Sequence, residues 1–175
     1  MRKRVITLIV IGVLALYGFH AYSEHRNVVA LRSLGISLEN VKVFQYHSGY
    51  HSGIKVELTL KIYNPTGVAT RIDRICYGVY ANGWPVRESL VKGPNYVEYA
   101  CWNDLTIQDA YIPPYTTKQF SRYFIIDSTD RSIPSDILNA IRTGNVIWEV
   151  RGAIIYYKSD LSGTEVTIPF EATFS

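Results

Sequence analysis

The chain has 175 residues, enough for one domain with a true core and a short additional segment. Its formal net charge is +3, and Arg2, Lys3 and Arg4 account for all of that excess: the rest carries 15 basic residues against 15 acidic ones. A neutral domain has no electrostatic footprint for DNA or RNA, so nucleic acid is excluded as the expected partner. Tyrosine is abundant, at 14 residues, and favours strands whose rings pack while their hydroxyls stay wet.

Residues 1–4 form a basic tip. Val5 to Tyr22 follows as an apolar run without a formal charge, close to the ~20 residues that cross a bilayer as a helix. The basic cluster lies on one side only, which predicts a cytosolic N-terminus and an exported remainder. Residues 5–22 are therefore expected to be a transmembrane anchor, with Tyr17 and Tyr22 at the interface. The alternative is a signal peptide cleaved near Ala21-Tyr22-Ser23, which would leave a secreted domain. Residues 23–35 read as a polar neck that continues the helix for a turn or two and stops at Gly35.

The domain proper is expected over residues 36–175. Ile36–Tyr46 reads as a first strand. The tandem repeat Tyr46-His-Ser-Gly49 and Tyr50-His-Ser-Gly53 reads as a loop or hairpin tip. From Ile54 to Ile62 every second residue is aliphatic, the pattern of a strand buried on one face. Asn64-Pro65 ends it, because proline has no N–H for a ladder. Arg74–Tyr80 is a return strand, and Asn82-Gly83 is a strong hairpin signal. Tyr96–Trp102, Leu105–Ile112 and Lys118–Ile126 are further strands, the second stopped by Pro113-Pro114. Pro134 to Thr143 carries helix start and stop signals, with Asp136 in the first turn, Gly144 after the last, and Ile133, Ile137 and Ile141 on one stripe. Val146–Tyr157 is a long central strand, and Val166 to Phe170 alternates in a last one. Seven or eight strands with regular turns and one short helix predict an all-β sandwich.

Candidate chemistry is sparse. His47 and His51 are four apart, but a zinc site takes three or four ligands and no third lies nearby, so both read as polar loop residues. Asp104, Asp109, Asp127 and Asp130 have no calcium-loop spacing, and Asp127 to Asp130 reads as a polar connector capping the helix. No nucleophile elbow, phosphate loop or dinucleotide fingerprint occurs, and Asn64-Pro65-Thr66 is barred from glycosylation by its proline. These patterns predict a protein that is not an enzyme and takes no cofactor or metal. Two cysteines, Cys76 and Cys101, permit one disulfide in an exported domain; it would close a loop of about 25 residues and contribute about 3 kcal/mol. Two buried thiols are the alternative. Trp84, Tyr96, Tyr99, Trp102, Tyr111 and Tyr115 are an aromatic enrichment. They read either as an interaction surface or as packing at the ends of the sandwich.

Val56-Glu-Leu-Thr-Leu-Lys-Ile-Tyr-Asn-Pro65, the return strand with Tyr77-Gly-Val-Tyr80, Ile112-Pro-Pro114, and Val150-Arg-Gly-Ala-Ile154 through Ile168-Pro-Phe170 come in a recognisable order. In these segments the chain resembles the late-embryogenesis-abundant type 2 family, the water-stress-and-hypersensitive-response (WHy) domain, over residues 36 to 175. The resemblance implies a sandwich of the fibronectin type III or immunoglobulin-like kind, a link to desiccation or other stress, and no catalytic residues to carry over. Cys76, Cys101, the histidine repeat and the segment Lys92 to Asn103 depart from it. The expected function is a membrane-tethered, extracytoplasmic binding or protective domain whose partners are the lipid bilayer, through residues 5–22, and proteins. The alternative is a structural or accessory subunit of a membrane or cell-surface assembly.

Overall fold

The computed structural model describes residues 2–49, 51–87, 92–93, 96–97, 100–102, 111–127, 132–158 and 164–175. At residues 2–5, 7, 51, 92–93, 96–97 and 100–102 the description is of the backbone alone. A helix α1 (Arg2–Arg32) leads into β1 (Gly35–Ser48), β2 (His51–Tyr63), β3 (Thr70–Arg71), β4 (Arg74–Ala81) and β5 (Trp84–Arg87). The short strands β6 (Lys92–Gly93), β7 (Tyr96–Val97), β8 (Ala100–Trp102) and β9 (Tyr111–Ile112) precede β10 (Thr117–Asp127). Helix α2 (Ser135–Thr143) and the hairpin β11 (Trp148–Tyr157) and β12 (Glu165–Phe174) complete the chain.

Two antiparallel sheets share one core. The first has the order β1-β2-β10; the second has the order β12-β11-β4-β5, with β8 also beside β4. The alternation in β2 is met residue by residue: Ile54, Val56, Leu58, Leu60 and Ile62 are buried, and the residues between them face outward. Facing them from the second sheet are Ile75, Tyr77, Val79, Val150, Ile154 and Tyr156. Ile133 and Ile141 of the α2 segment join the same core, and Gly144 ends that helix in the left-handed conformation at φ 72°. Asn82 and Gly83 have φ of 49° and 77°, the primed two-residue turn that matches strand twist. At Gly152 a Cβ would overlap the Cys76 carbonyl oxygen, so only glycine lets β4 and β11 approach as they do.

Three expectations are corrected or extended, and a fourth falls mostly outside the described residues. Strand β1 runs to Ser48 and β2 begins at His51, so the histidine repeat is the tip of one long hairpin, with His47 opposite Ser52. The neck is helical as far as Arg32, where α1 ends, and it inserts Leu31, fully buried, into the core. Among the described residues no helix is long and apolar enough to cross a membrane, which corrects the expectation of a transmembrane helix over residues 5–22. The physical reason is that the apolar run ends at Phe19, and His20, Tyr22, Ser23, Glu24 and His25 follow it within the same helix. Of the strand expected over Leu105–Ile112, only Tyr111 and Ile112 lie within the described residues.

Asn64 is the polar centre of this architecture. It is completely buried. Its side-chain amide donates to the carbonyls of Val68, Ile112 and Pro113 at 2.8, 3.3 and 3.2 Å. Its Oδ1 accepts from the Thr66 N–H at 3.0 Å and the Thr66 hydroxyl at 2.8 Å, and its own N–H donates to the Thr116 carbonyl at 2.9 Å. An amide carries two donors and an acceptor on one planar group, which aspartate and alanine cannot supply. Asn64→Ala is expected to lower stability to urea by about 3 kcal/mol, and Asn64→Asp by at least as much, since a carboxylate would face three carbonyls. A loss below about 1 kcal/mol for both variants would show that the network is not the closure of the fold.

Candidate interaction surface

The N-terminal part of α1 projects from the sandwich as a bare apolar rod. Ile6, Leu8, Ile9, Val10, Ile11, Val13, Leu14, Leu16, Tyr17, Phe19 and Tyr22 are each more than half exposed. Successive positions point about 100° apart around a helix, so Leu8 through Ile11 alone cover its circumference. The helix therefore has no polar face, unlike an amphipathic helix that lies on a surface. Isolated exposed apolar residues need no explanation, but a contiguous patch of this extent marks a contact surface.

The same helix is firmly docked at its C-terminal end. The Tyr156 hydroxyl donates to Glu24 Oε2 at 2.6 Å, the Arg71 N–H donates to Asn27 Oδ1 at 3.3 Å, and Ala30 and Leu31 are buried. Glu24, Asn27, Val28 and Leu31 recur at helical spacing, so one face of this segment meets the sandwich. Sequence reading of the neck missed these residues; their spacing is the signal that would have found them. Asp73 ties the adjoining edge, accepting from the Tyr157 N–H at 2.7 Å and pairing with Arg71 at 2.8 Å. Along α1, beside Lys158, lies a groove of about 410 Å³. Tyr17, His20, Glu24, His25, Arg32 and Lys158 line it.

The expected site residues fall in different places. Tyr111 and Tyr115, 51% and 69% exposed, lie at the helix-docking end of the sandwich, where Gly35, Tyr63 and Thr117 share a register. Trp84, 42% exposed, follows the far end of β4, on the order of 25 Å away for an eight-residue strand. The described aromatics thus do not form one patch. Tyr99 lies outside the described residues, and for Tyr96 and Trp102 only the backbone is described. Cys76 is disulfide-bonded and buried, and strand register sets Cys101 directly opposite it. His47 is exposed at the hairpin tip, and Asp104, Asp109 and Asp130 lie outside the described residues. Among the described residues no group of three or more His, Cys, Asp or Glu could hold a metal ion.

No family model and no curated protein matches the chain. Among solved structures, one similar to it is the Arabidopsis thaliana protein AT1g01470 in solution, with TM-score 0.48 and 12% identity over 79% of this chain and 78% of that one. A Northeast Structural Genomics Consortium target, SoR45, gives TM-score 0.46 and 14% identity over 81% and 87%. A protein from Archaeoglobus fulgidus gives TM-score 0.38 and 14% identity over 79% and 97%.

Burial and the Glu24 carboxylate push the Tyr156 hydroxyl up to about 12. A raised folded-state value means that the neutral phenol is stabilised in the docked state. Its contribution is complete below the ordinary tyrosine value of about 10 and is lost as pH rises from there toward 12. The α1–sandwich joint is therefore expected to loosen in that window, seen as faster amide exchange at residues 24–32, and Tyr156→Phe is expected to remove this pH dependence. Alkaline loosening that persists unchanged in Tyr156→Phe would contradict the assignment. For the cysteines, non-reducing peptide mapping is expected to link Cys76 to Cys101, and replacing both by serine is expected to cost about 3 kcal/mol. Recovery of two free thiols from the native protein would exclude the bridge.

Proposed function

We propose that this chain is a non-enzymatic binding or protective domain of the WHy type, with a fibronectin-III-like sandwich held at the outer face of the cytoplasmic membrane. The observation that carries this reading is the bare helix: a rod apolar on every side, fixed to a folded domain by Leu31, Asn27 and the Glu24–Tyr156 hydrogen bond. Lipid is the partner that covers such a rod without asking for a polar face. The basic cluster Arg2-Lys3-Arg4 at its free end adds attraction to an anionic lipid surface.

The polar groups described in the body of the domain support a binding or structural role. Asn64, Asp73 and Glu24 are engaged in hydrogen bonds that hold loops and elements together. Tyr115 has φ 54°, a left-handed conformation that costs a residue with a Cβ about 1 kcal/mol, yet its ring is largely in solvent. An exposed aromatic kept on strained backbone is a contact residue in this reading. Protein assembly is the second reading, favoured by the same rod, which other apolar helices would also cover.

Two measurements test the proposal. The full chain is expected to float with phosphatidylcholine vesicles, and Leu14→Arg is expected to reduce that binding about a hundredfold, from ~3 kcal/mol for a cation in hydrocarbon. A monomeric protein that slows heat- or drying-induced aggregation of a test enzyme would support the protective role. Fixed-stoichiometry partners in mild detergent, with no vesicle binding by the isolated chain, would overturn lipid tethering in favour of an assembly subunit.

A further inference from the structure

We infer that the Cys76–Cys101 disulfide is a redox-sensitive clasp: a dithiol reduces it in the folded protein, and β8 is then released from β4. The chain has two cysteines and Cys76 is disulfide-bonded, so Cys101 is its partner. Strand register agrees, setting the two directly opposite each other. The clasp works whether or not α1 is seated in lipid.

The placement of the bond separates it from the core. Ile75 and Tyr77 are core residues of β4, so Cys76 between them points to the other face of the sheet. Reduction therefore leaves the core packing in place. β4 itself is held on its other side. There β11 pairs with it from Arg74 to Ala81, and Gly152 comes so close that a Cβ would overlap the Cys76 carbonyl oxygen. β8 has no such hold. Among the described residues it pairs only with Ile75, Cys76 and Tyr77 of β4. A ladder of that length carries few hydrogen bonds, so it opens at far less cost than the sandwich does. Cys76 is buried, so attack on its sulfur follows such an opening.

The chemistry is thiol–disulfide exchange. One thiolate of the dithiol attacks a sulfur of the bond and displaces the other cysteine as a thiolate. The second thiol of the dithiol then displaces the first cysteine from the mixed disulfide. The dithiol leaves as a disulfide, having given up two electrons, and Cys76 and Cys101 take up its two protons as thiols. What changes is an edge. Ile75, Cys76 and Tyr77 lose their neighbour on one side, and an uncovered strand edge is where another strand can pair.

The test uses the full chain in mild detergent at neutral pH, with dithiothreitol as the dithiol. Two thiols are expected to become open to alkylation while amide exchange from Ile54 to Ile62 stays slow. Exchange is expected to quicken at those of Ile75, Cys76 and Tyr77 whose N–H faces β8. The rise is expected to be on the order of tenfold, because β5 and β9 still hold the ends of the segment carrying β8 and only part of the loop closure is lost. Re-oxidation with oxidised glutathione is expected to restore the slow exchange. Cys76→Ser with Cys101→Ser is expected to exchange fast at these positions without reductant and to ignore dithiothreitol. Should that variant not fold, the reduction and re-oxidation cycle of the wild type decides alone. Thiols that appear only together with fast exchange from Ile54 to Ile62 would overturn the clasp and make the bond a staple of the whole fold. Reduction that leaves exchange at Ile75, Cys76 and Tyr77 unchanged would overturn the release of β8.

Discussion

The amide of Asn64 is the constraint on which the rest of the structure depends. Strand β2 supplies the inner face of the first sheet and must stop where Pro65 removes its ladder donor. A chain that simply stopped there would leave buried carbonyls without partners, at about 1–3 kcal/mol each. Asn64 instead gathers Val68, Ile112 and Pro113, while Thr66 returns two hydrogen bonds to it. The consequence travels outward. Fixing Ile112 fixes β9, which pairs with Thr70 and Arg71; the Arg71 N–H then binds Asn27 of α1. One buried side chain thus lies at the root of a hydrogen-bonded path from the sheet end to the helix.

This path explains what could be read from the chain and what could not. Period-two alternation in β2, the Asn82-Gly83 turn and the Pro134–Gly144 helix are local signals, each set by residues within a few positions, and each appears where expected. The mostly β character with two sheets on one core follows from them. The docking of α1 was not legible in the same way. Its contacts join Glu24 to Tyr156 and Asn27 to Arg71, across 132 and 44 residues, and nothing local announces them. The polar residues after Tyr22 read as a neck because their composition is mixed, whereas their spacing puts Glu24, Asn27, Val28 and Leu31 on one buried face. Nearness in sequence did not bring Trp84 to Tyr111 and Tyr115, since β4 carries the chain from one end of the sandwich to the other.

Edge control also follows from the packing. β10 closes one side of the first sheet and turns Arg122 toward the core side, in register with buried Leu58. An inward charge on an edge strand opposes pairing with another chain. On the outer face, Glu39 at a β-bulge binds Lys61 at 3.2 Å and Gln119 as well, spanning the three strands. Across the second sheet Arg151 forms a two-pronged pair with Glu149 at 2.7 and 2.8 Å and stacks over Tyr80. The Arg151 guanidinium holds the Glu149 carboxyl below its ordinary value. The exposed Glu39–Lys61 pair contributes little to stability, but contacts that cross strands, Glu39 with Lys61 and Gln119 and Arg151 with Tyr80, favour the observed register.

The joint matters more for function than the rod alone. An apolar helix followed by a flexible linker would let its domain tumble, and no face of the sandwich would be presented more than another. Here the helix enters the core through Leu31 and is pinned by two hydrogen bonds from different strands, so the direction of the rod and the orientation of the sandwich are one geometry. The end bearing Tyr63, Tyr111 and Tyr115 lies beside the helix base, and the end bearing Trp84 lies away from it. On the membrane reading, the first set meets the headgroup region, where tyrosine is favoured, and the second faces outward, free to meet a protein. On the proposed binding role such fixed presentation is what matters: the domain would offer a partner a surface, and the Asn64 network and the α1 joint together decide which surface that is.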